Sequence, residues 1–182
     1  MKYVRLGNTN LLVSEFCLGT MMFGGKTGPD ESVRITQRAV EAGVNFIDTA
    51  DVYNEGRSEE YVGRALQGIR DRVVLASKVG MRVGAGPNDM GISRFHIVRA
   101  AEASLKRLAT DRIDLYYIHW PTKAMNLDEM VRALEDLIRQ GKVLYPAFSN
   151  FPAWLFTRSL WLQELLGYAP MVAGQYPYNL IE

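Results

Sequence analysis

Five short apolar runs in this chain each lead into a polar residue that could do chemistry. Asp48 follows Val44-Asn-Phe-Ile47, Lys78 follows Val73-Val-Leu-Ala-Ser77, and His119 follows Ile113-Asp-Leu-Tyr-Tyr-Ile118. Ser149 and Asn150 follow Leu144-Tyr-Pro-Ala-Phe148, Gln175 follows Met171-Val-Ala-Gly174, and Tyr53 lies five residues past Asp48. A phenol with a pKa of about 10 is a poor acid at neutral pH. An ammonium beside it favours the phenolate and lowers that value. A carboxylate paired with the ammonium keeps it charged and aimed, and a neutral imidazole can hydrogen-bond a substrate oxygen from another side. Together, Asp48, Tyr53, Lys78 and His119 would suit protonation of a carbonyl oxygen while something else attacks the carbon. None of the four is a good nucleophile for acyl transfer. One strand-end His with one Asp supplies too few ligands for a metal.

Each residue alone has a plainer reading. Asp48 could cap a loop or helix, Lys78 could lie along apolar surface with its head in water, and Tyr53 could simply pack. A core His bonded to backbone is the plain reading of His119, although it is one of only two His and ends a very apolar run. The argument draws its weight from all four falling at one face. Elsewhere, His96 reads as a helix-face residue and Cys17 as a small buried hydrophobe in the first strand. Trp154 and Trp161 read as helix packing, and Asp51, Glu55 and Glu59 as decoration of a solvated loop.

The elements that must position these groups repeat. Runs at Glu15-Leu18, Val44-Ile47, Val73-Ala76, Ile113-Ile118, Val143-Phe148 and Met171-Gly174 start 29, 29, 40, 30 and 28 residues apart. Between them lie helical patterns, clearest in Leu127, Met130, Val131, Leu134, Leu137 and Ile138. Ser93 is placed to cap the helix through Phe95 and Leu108, Asp30 to cap the first helix, and Pro152 sits in a first turn. Gly43, Gly68, Gly141 and Gly167 follow the last periodic residues of their helices. Strand-helix alternation implies parallel strands with right-handed crossovers, in a doubly wound sheet or a (β/α)8 barrel. No G-x-G-x-x-G follows the first strand, which disfavours the doubly wound form. Tyr3-Leu6 and Leu11-Ser14 flank a Gly-Asn-Thr-Asn turn and predict a hairpin. A whole barrel takes about 250 residues. Six strands and five helices therefore predict a single α/β domain over 1–182, a TIM-barrel type that is incomplete.

Composition excludes several classes. Lys and Arg number 21 against 20 Asp and Glu, so a general nucleic-acid binder is not expected. One Cys permits no internal disulfide, and no apolar run approaches the ~18 residues of a membrane span. The first residues do not resemble a signal peptide, so a cytoplasmic protein with no membrane partner is the expectation.

The strings around these residues are specific. Gly19-Thr20, Asn45-Phe-Ile-Asp48-Thr-Ala-Asp-Val-Tyr53, Ser77-Lys78, Tyr117-Ile-His119-Trp-Pro121, Ser149-Asn150-Phe151 and Gln175-Tyr-Pro-Tyr-Asn179 resemble the aldo-keto reductases. The resemblance implies an NADPH-dependent reductase of aldehydes and ketones on a (β/α)8 barrel. It makes Tyr53 the general acid, Lys78 its activator, Asp48 the partner of Lys78, and His119 the group that orients the carbonyl. Asp48, Ser149, Asn150 and Gln175 would contact NADP(H), with Thr20 and Met21 adding first-loop contacts. Trp120 and the residues around Met21-Phe23 would line an apolar substrate pocket beside Tyr53 and His119. Two departures stand out. Pro146 removes a ladder donor from an interior strand, and no strings match the family's last two barrel strands. Those gaps motivate a second expectation, a non-catalytic or truncated nucleotide-binding barrel that self-associates through open sheet edges. A lyase using Lys78 as a Schiff base is the third reading.

Overall fold

A computed structural model describes residues 1–122 and 125–181; Lys123, Ala124 and Glu182, which the single-domain reading takes in, lie outside the described residues. The chain begins with an antiparallel hairpin, β1 (Tyr3–Arg5) and β2 (Leu12–Ser14), with Tyr3 opposite Ser14. Six parallel strands follow: β3 (Leu18–Gly19), β4 (Phe46–Asp48), β5 (Val74–Val79), β6 (Ile113–Ile118), β7 (Val143–Ser149) and β8 (Gly174–Gln175). Their order in the sheet is their order in the chain. That rules out the doubly wound alternative, whose strand order reverses at a switch point. The sheet is a curled half-barrel, a partial TIM barrel.

Five helices cover the outer face: α1 (Pro29–Glu41), α2 (Arg57–Ala65), α3 (Arg94–Leu108), α4 (Leu127–Arg139) and α5 (Ala153–Leu166). Each helix packs on the next. The stripe predicted from Leu127 onward is real: Leu127, Met130, Val131, Leu134 and Leu137 are buried in α4. At the α2–α3 seat, a Cβ on Gly63 would come within 2.7 Å of the Leu108 carbonyl oxygen. The helices close to that distance because Gly63 has no side chain.

Alternation along the strands makes two cores. Residues such as Ile47, Leu75, Tyr116, Ile118 and Phe148 point outward into the large core under the helices. Ala76, Leu115, Tyr117 and Ala147 point inward and form a smaller core with Leu6, Phe46 and Val172. Every residue of β5 and β6 is buried, as expected of parallel strands covered on both faces.

Several local expectations need correction. The first strand starts at Leu18 rather than Glu15, and Cys17, just before it, is exposed. Pro29 takes the first position of α1, so the cap is Gly28 and Asp30 falls inside the first turn. There Asp30 can favour the helix dipole but cannot cap. Pro152 is the N-cap of α5. Trp154 and Trp161 are 65% and 60% exposed, since α5 is apolar around its circumference and cannot bury every face. His96 is buried in the first turn of α3, its ring Nε2 without a partner. Pro146 is accommodated because its carbonyl accepts from Val172 on the β8 side, where the ladder itself begins only at Phe148. Its missing N–H therefore falls below the two-residue β8. Among the described residues no helix is long and apolar enough to cross a membrane.

Candidate active site

The C-terminal ends of β4, β5 and β6 open onto one rim, and the four residues singled out by type converge there. Lys78 is one step up the inner face of β5 from Ala76 and is 1% exposed. Its ammonium donates three hydrogen bonds: to Asp48 Oδ2 at 2.5 Å, to the Thr49 carbonyl at 3.0 Å and to the Tyr53 hydroxyl at 3.1 Å. All three protons are used, so the cation has one orientation. The ammonium also lies 4.9 Å from the centre of the Tyr53 ring. The His119 ring stands edge-on to Tyr53, with centroids 5.7 Å apart.

Burial, reinforced by the Lys78 charge, pushes the His119 imidazole down to about 4, so it is neutral at pH 7. Burial raises the Asp48 carboxyl, opposed by Lys78 and by the Gln175 side chain, which reaches the same carboxyl. A 2.5 Å contact holds the carboxyl against the Lys78 ammonium. Asp48 Oδ1 and His119 Nδ1 are buried without a hydrogen-bond partner.

A second group sits at the ends of β7 and β8. Ser149 Oγ donates to the Gln175 carbonyl at 3.0 Å, and the Asn150 amide N–H donates to the same oxygen at 3.1 Å. The Asn150 side chain donates to the His119 carbonyl at 3.2 Å and to Ser149 Oγ at 2.8 Å. This ties the ends of β6, β7 and β8 together. Trp120 and Met21 stand on the rim, 54% and 55% exposed. Thr20, by contrast, is fully buried, and its hydroxyl donates to the Asp48 carbonyl at 2.9 Å. It is spent on the scaffold. A cavity of about 680 Å³ lined by Thr9, Phe156, Leu160, Tyr168 and Met171 holds none of these residues.

Sequence reasoning passed over the residues that support the rim. Ser58 Oγ lies 2.9 Å from Thr20 Oγ1 and 2.8 Å from Thr49 Oγ1, a buried hydroxyl knot joining α2 to the ends of β3 and β4. Asp51 and Glu59 are not solvated: they are 3% and 0% exposed. Glu59 accepts from Ser77 Oγ at 2.6 Å and from Arg107 Nε at 2.7 Å, on the outer side of β5. Burial, reinforced by Glu59, pushes the Asp51 carboxyl up to about 8. Glu55, as expected, is exposed. Only the pairing of Arg107 with a carboxylate 48 residues away would have revealed this cluster, and local patterning does not carry that information.

A half-barrel with an Asp, Tyr, Lys and His gathered at the C-terminal strand ends defines a class of barrel proteins whose polar residues meet at that face. The family model for the aldo/keto reductase family matches residues 15–182, and the chain belongs to that family. It is 40% identical over 193 residues to the uncharacterized oxidoreductase YrpG of Bacillus subtilis (strain 168), covering 100% of this chain and 59% of that protein. It is 36% identical over 188 residues to the aldo-keto reductase YhdN of the same organism, covering 100% of this chain and 55% of that protein. A probable voltage-gated potassium channel subunit beta of Arabidopsis thaliana is 36% identical over 184 residues, covering 99% of this chain and 56% of that protein. The chain thus spans 55–59% of the length of these relatives.

Proposed function

We propose that this chain carries the proton-donating site of an NADPH-dependent reductase of aldehydes and ketones. The observation that carries the reading is the Lys78 ammonium, hydrogen-bonded at once to Asp48 and to the Tyr53 hydroxyl, with a neutral His119 at the edge of the same ring. Tyr53 gives its proton to the carbonyl oxygen. The phenolate left behind is held by the ammonium, whose charge is fixed in place by Asp48. His119, neutral at pH 7, donates a hydrogen bond to the same oxygen and aligns the carbonyl. A nicotinamide, when bound, would supply the hydride that the carbonyl carbon accepts. Asp48 and the Gln175 side chain fit the polar carboxamide of such a group, with Ser149 and Asn150, their protons given to the scaffold, holding the ends of β6, β7 and β8 beside it. Met21 and Trp120 would give the substrate an apolar approach. The small-molecule carbonyl is thus the expected partner, and a chain with the single cysteine Cys17 suits a reducing cytoplasm.

NADPH oxidation with a panel of aldehydes, measured for the unaltered protein and for Tyr53→Phe, tests the assignment. The expected outcome is a loss of about 10²- to 10⁴-fold in turnover with NADPH binding retained. Equal rates would reject Tyr53 as the acid. A second reading draws on the similarity to a protein named as a channel beta subunit: a nucleotide-binding regulatory barrel. Saturable NADPH binding with no turnover of any carbonyl in the panel would favour it.

A further inference from the structure

The segment just after Tyr53 is conformationally costly. Asn54, Glu55 and Gly56 all have positive φ, at 49°, 61° and 85°. Asn tolerates the left-handed region because its short amide can bond locally. Here the amide is instead directed across the rim. Asn54 Nδ2 donates to the Met21 carbonyl at 2.7 Å and to the Phe23 carbonyl at 2.8 Å. Both acceptors are carbonyl oxygens, so only the amide nitrogen can face them, and both of its protons are used.

The loop on the receiving side is shaped to this contact. A Cβ on Gly25 would lie 2.6 Å from Asn54 Oδ1, and one on Gly24 would lie 2.4 Å from Arg57 Cβ. Glycine at both positions lets the loop press against the Tyr53 turn. From the other side, Arg57 Nε donates to the Asn54 carbonyl at 3.0 Å. The loop adds its own bonds, Gly24 N–H to the Thr27 carbonyl and Thr27 N–H to the Met22 carbonyl. Among the described residues, no other side chain bridges the Met21–Phe23 carbonyls to the turn that bears Tyr53.

We infer that Asn54 is a positioning residue that locks Met21–Phe23 to the Tyr53 turn, so that the proton donor and the wall of the reaction space are held as one unit. The inference rests on the carbonyl-reductase reading above. Asn54 touches no reacting atom in it; it acts through Tyr53 and the loop.

Two substitutions separate the amide from the backbone conformation. Asn54→Gly keeps the positive φ at no steric cost and removes the amide. Asn54→Asp keeps the shape and turns acceptors toward the two carbonyls. Backbone hydrogen exchange and steady-state kinetics are read on both. The expected result is exchange at least tenfold faster at Phe23–Thr27 alone, with the thermal midpoint nearly unchanged. KM for carbonyl or for NADPH rises about tenfold while kcat falls less than threefold, in line with two lost hydrogen bonds that orient rather than react. Unchanged local exchange overturns the lock. Faster exchange with both KM values unchanged overturns the positioning role. If the unaltered protein turns over no carbonyl, the site reading fails and the positioning role with it, and the exchange data still report separately whether the amide holds the loop.

Discussion

Strand β5 sends two neighbouring polar side chains to opposite faces of the sheet, and they meet different fates. Lys78 points inward to Asp48 and Tyr53; Ser77 points outward to Glu59, which is bound in turn by Arg107. Both clusters place charge inside the protein. In the outer one Glu59, on α2, is held by its two donors and sealed between α2, α3 and β5. The inner one leaves Asp48 Oδ1 and His119 Nδ1 without partners beside a part-buried phenol. The outer cluster also carries Asp51, whose two carboxyl oxygens are buried without partners, so the two sides differ in the buried cation and the phenol that only the inner one has. Distance from the chemistry is a single residue, so which face a side chain takes, not where it sits along the chain, separates the two roles.

The comparison can be broken most sharply at Lys78. Lys78→Met removes the cation from the inner cluster, and turnover in the NADPH assay should fall by about 10³-fold or more. Retained turnover would show the ammonium to be structural, like its outer neighbour. Arg107→Ala makes the reciprocal test. It leaves a fully buried Glu59 with Ser77 as its only donor and should cost about 3 kcal/mol in urea unfolding. Rates per folded molecule should be unchanged, and a drop in kcat would merge the two clusters.

Asp51 offers a pH handle on the outer side. Its folded carboxyl, at about 8, lies above the ordinary carboxylate value, so the folded state binds the proton more tightly than the unfolded chain. The stability that comes from this proton is full below about pH 4 and is lost as pH rises to about 8. Asp51→Asn should therefore raise the thermal midpoint more at pH 9 than at pH 5. An equal gain at both would mean the carboxyl is already charged. The smallest effect concerns the inner side. With His119 near 4, kcat/KM should show no acid limb around 6.5 and should begin to fall only toward pH 4. A break near 6.5 that vanishes in His119→Asn would show the ring to be hydrated and ordinary.

Much of the inner face was legible because its signals are local. Ile113–Ile118 reads as a strand to the residue, since a short run that is apolar at every position but Asp114 suits a strand covered on both sides. Asp48, Lys78 and His119 stood out as polar interruptions at the ends of such runs. The short strands β3 and β8 were misplaced by up to three residues, because two-residue strands depend on their neighbours' register rather than on their own pattern. Asp51 and Glu59 were misjudged for a related reason. In a polar stretch they look solvated, and only the packing of α3 over α2 buries them. Asn54 was invisible, for its contacts lie 31 and 33 residues back and its conformation leaves no mark on composition.

The unbroken strand order has a consequence for how the protein is made. Among the described strands of the parallel sheet, each after β3 pairs with the one delivered a single βα unit earlier. On the ribosome the sheet can grow by accretion, and Asp48 and Tyr53 have already emerged when Lys78 arrives to be neutralised. The nascent chain thus never has to bury that cation before its counter-ion exists.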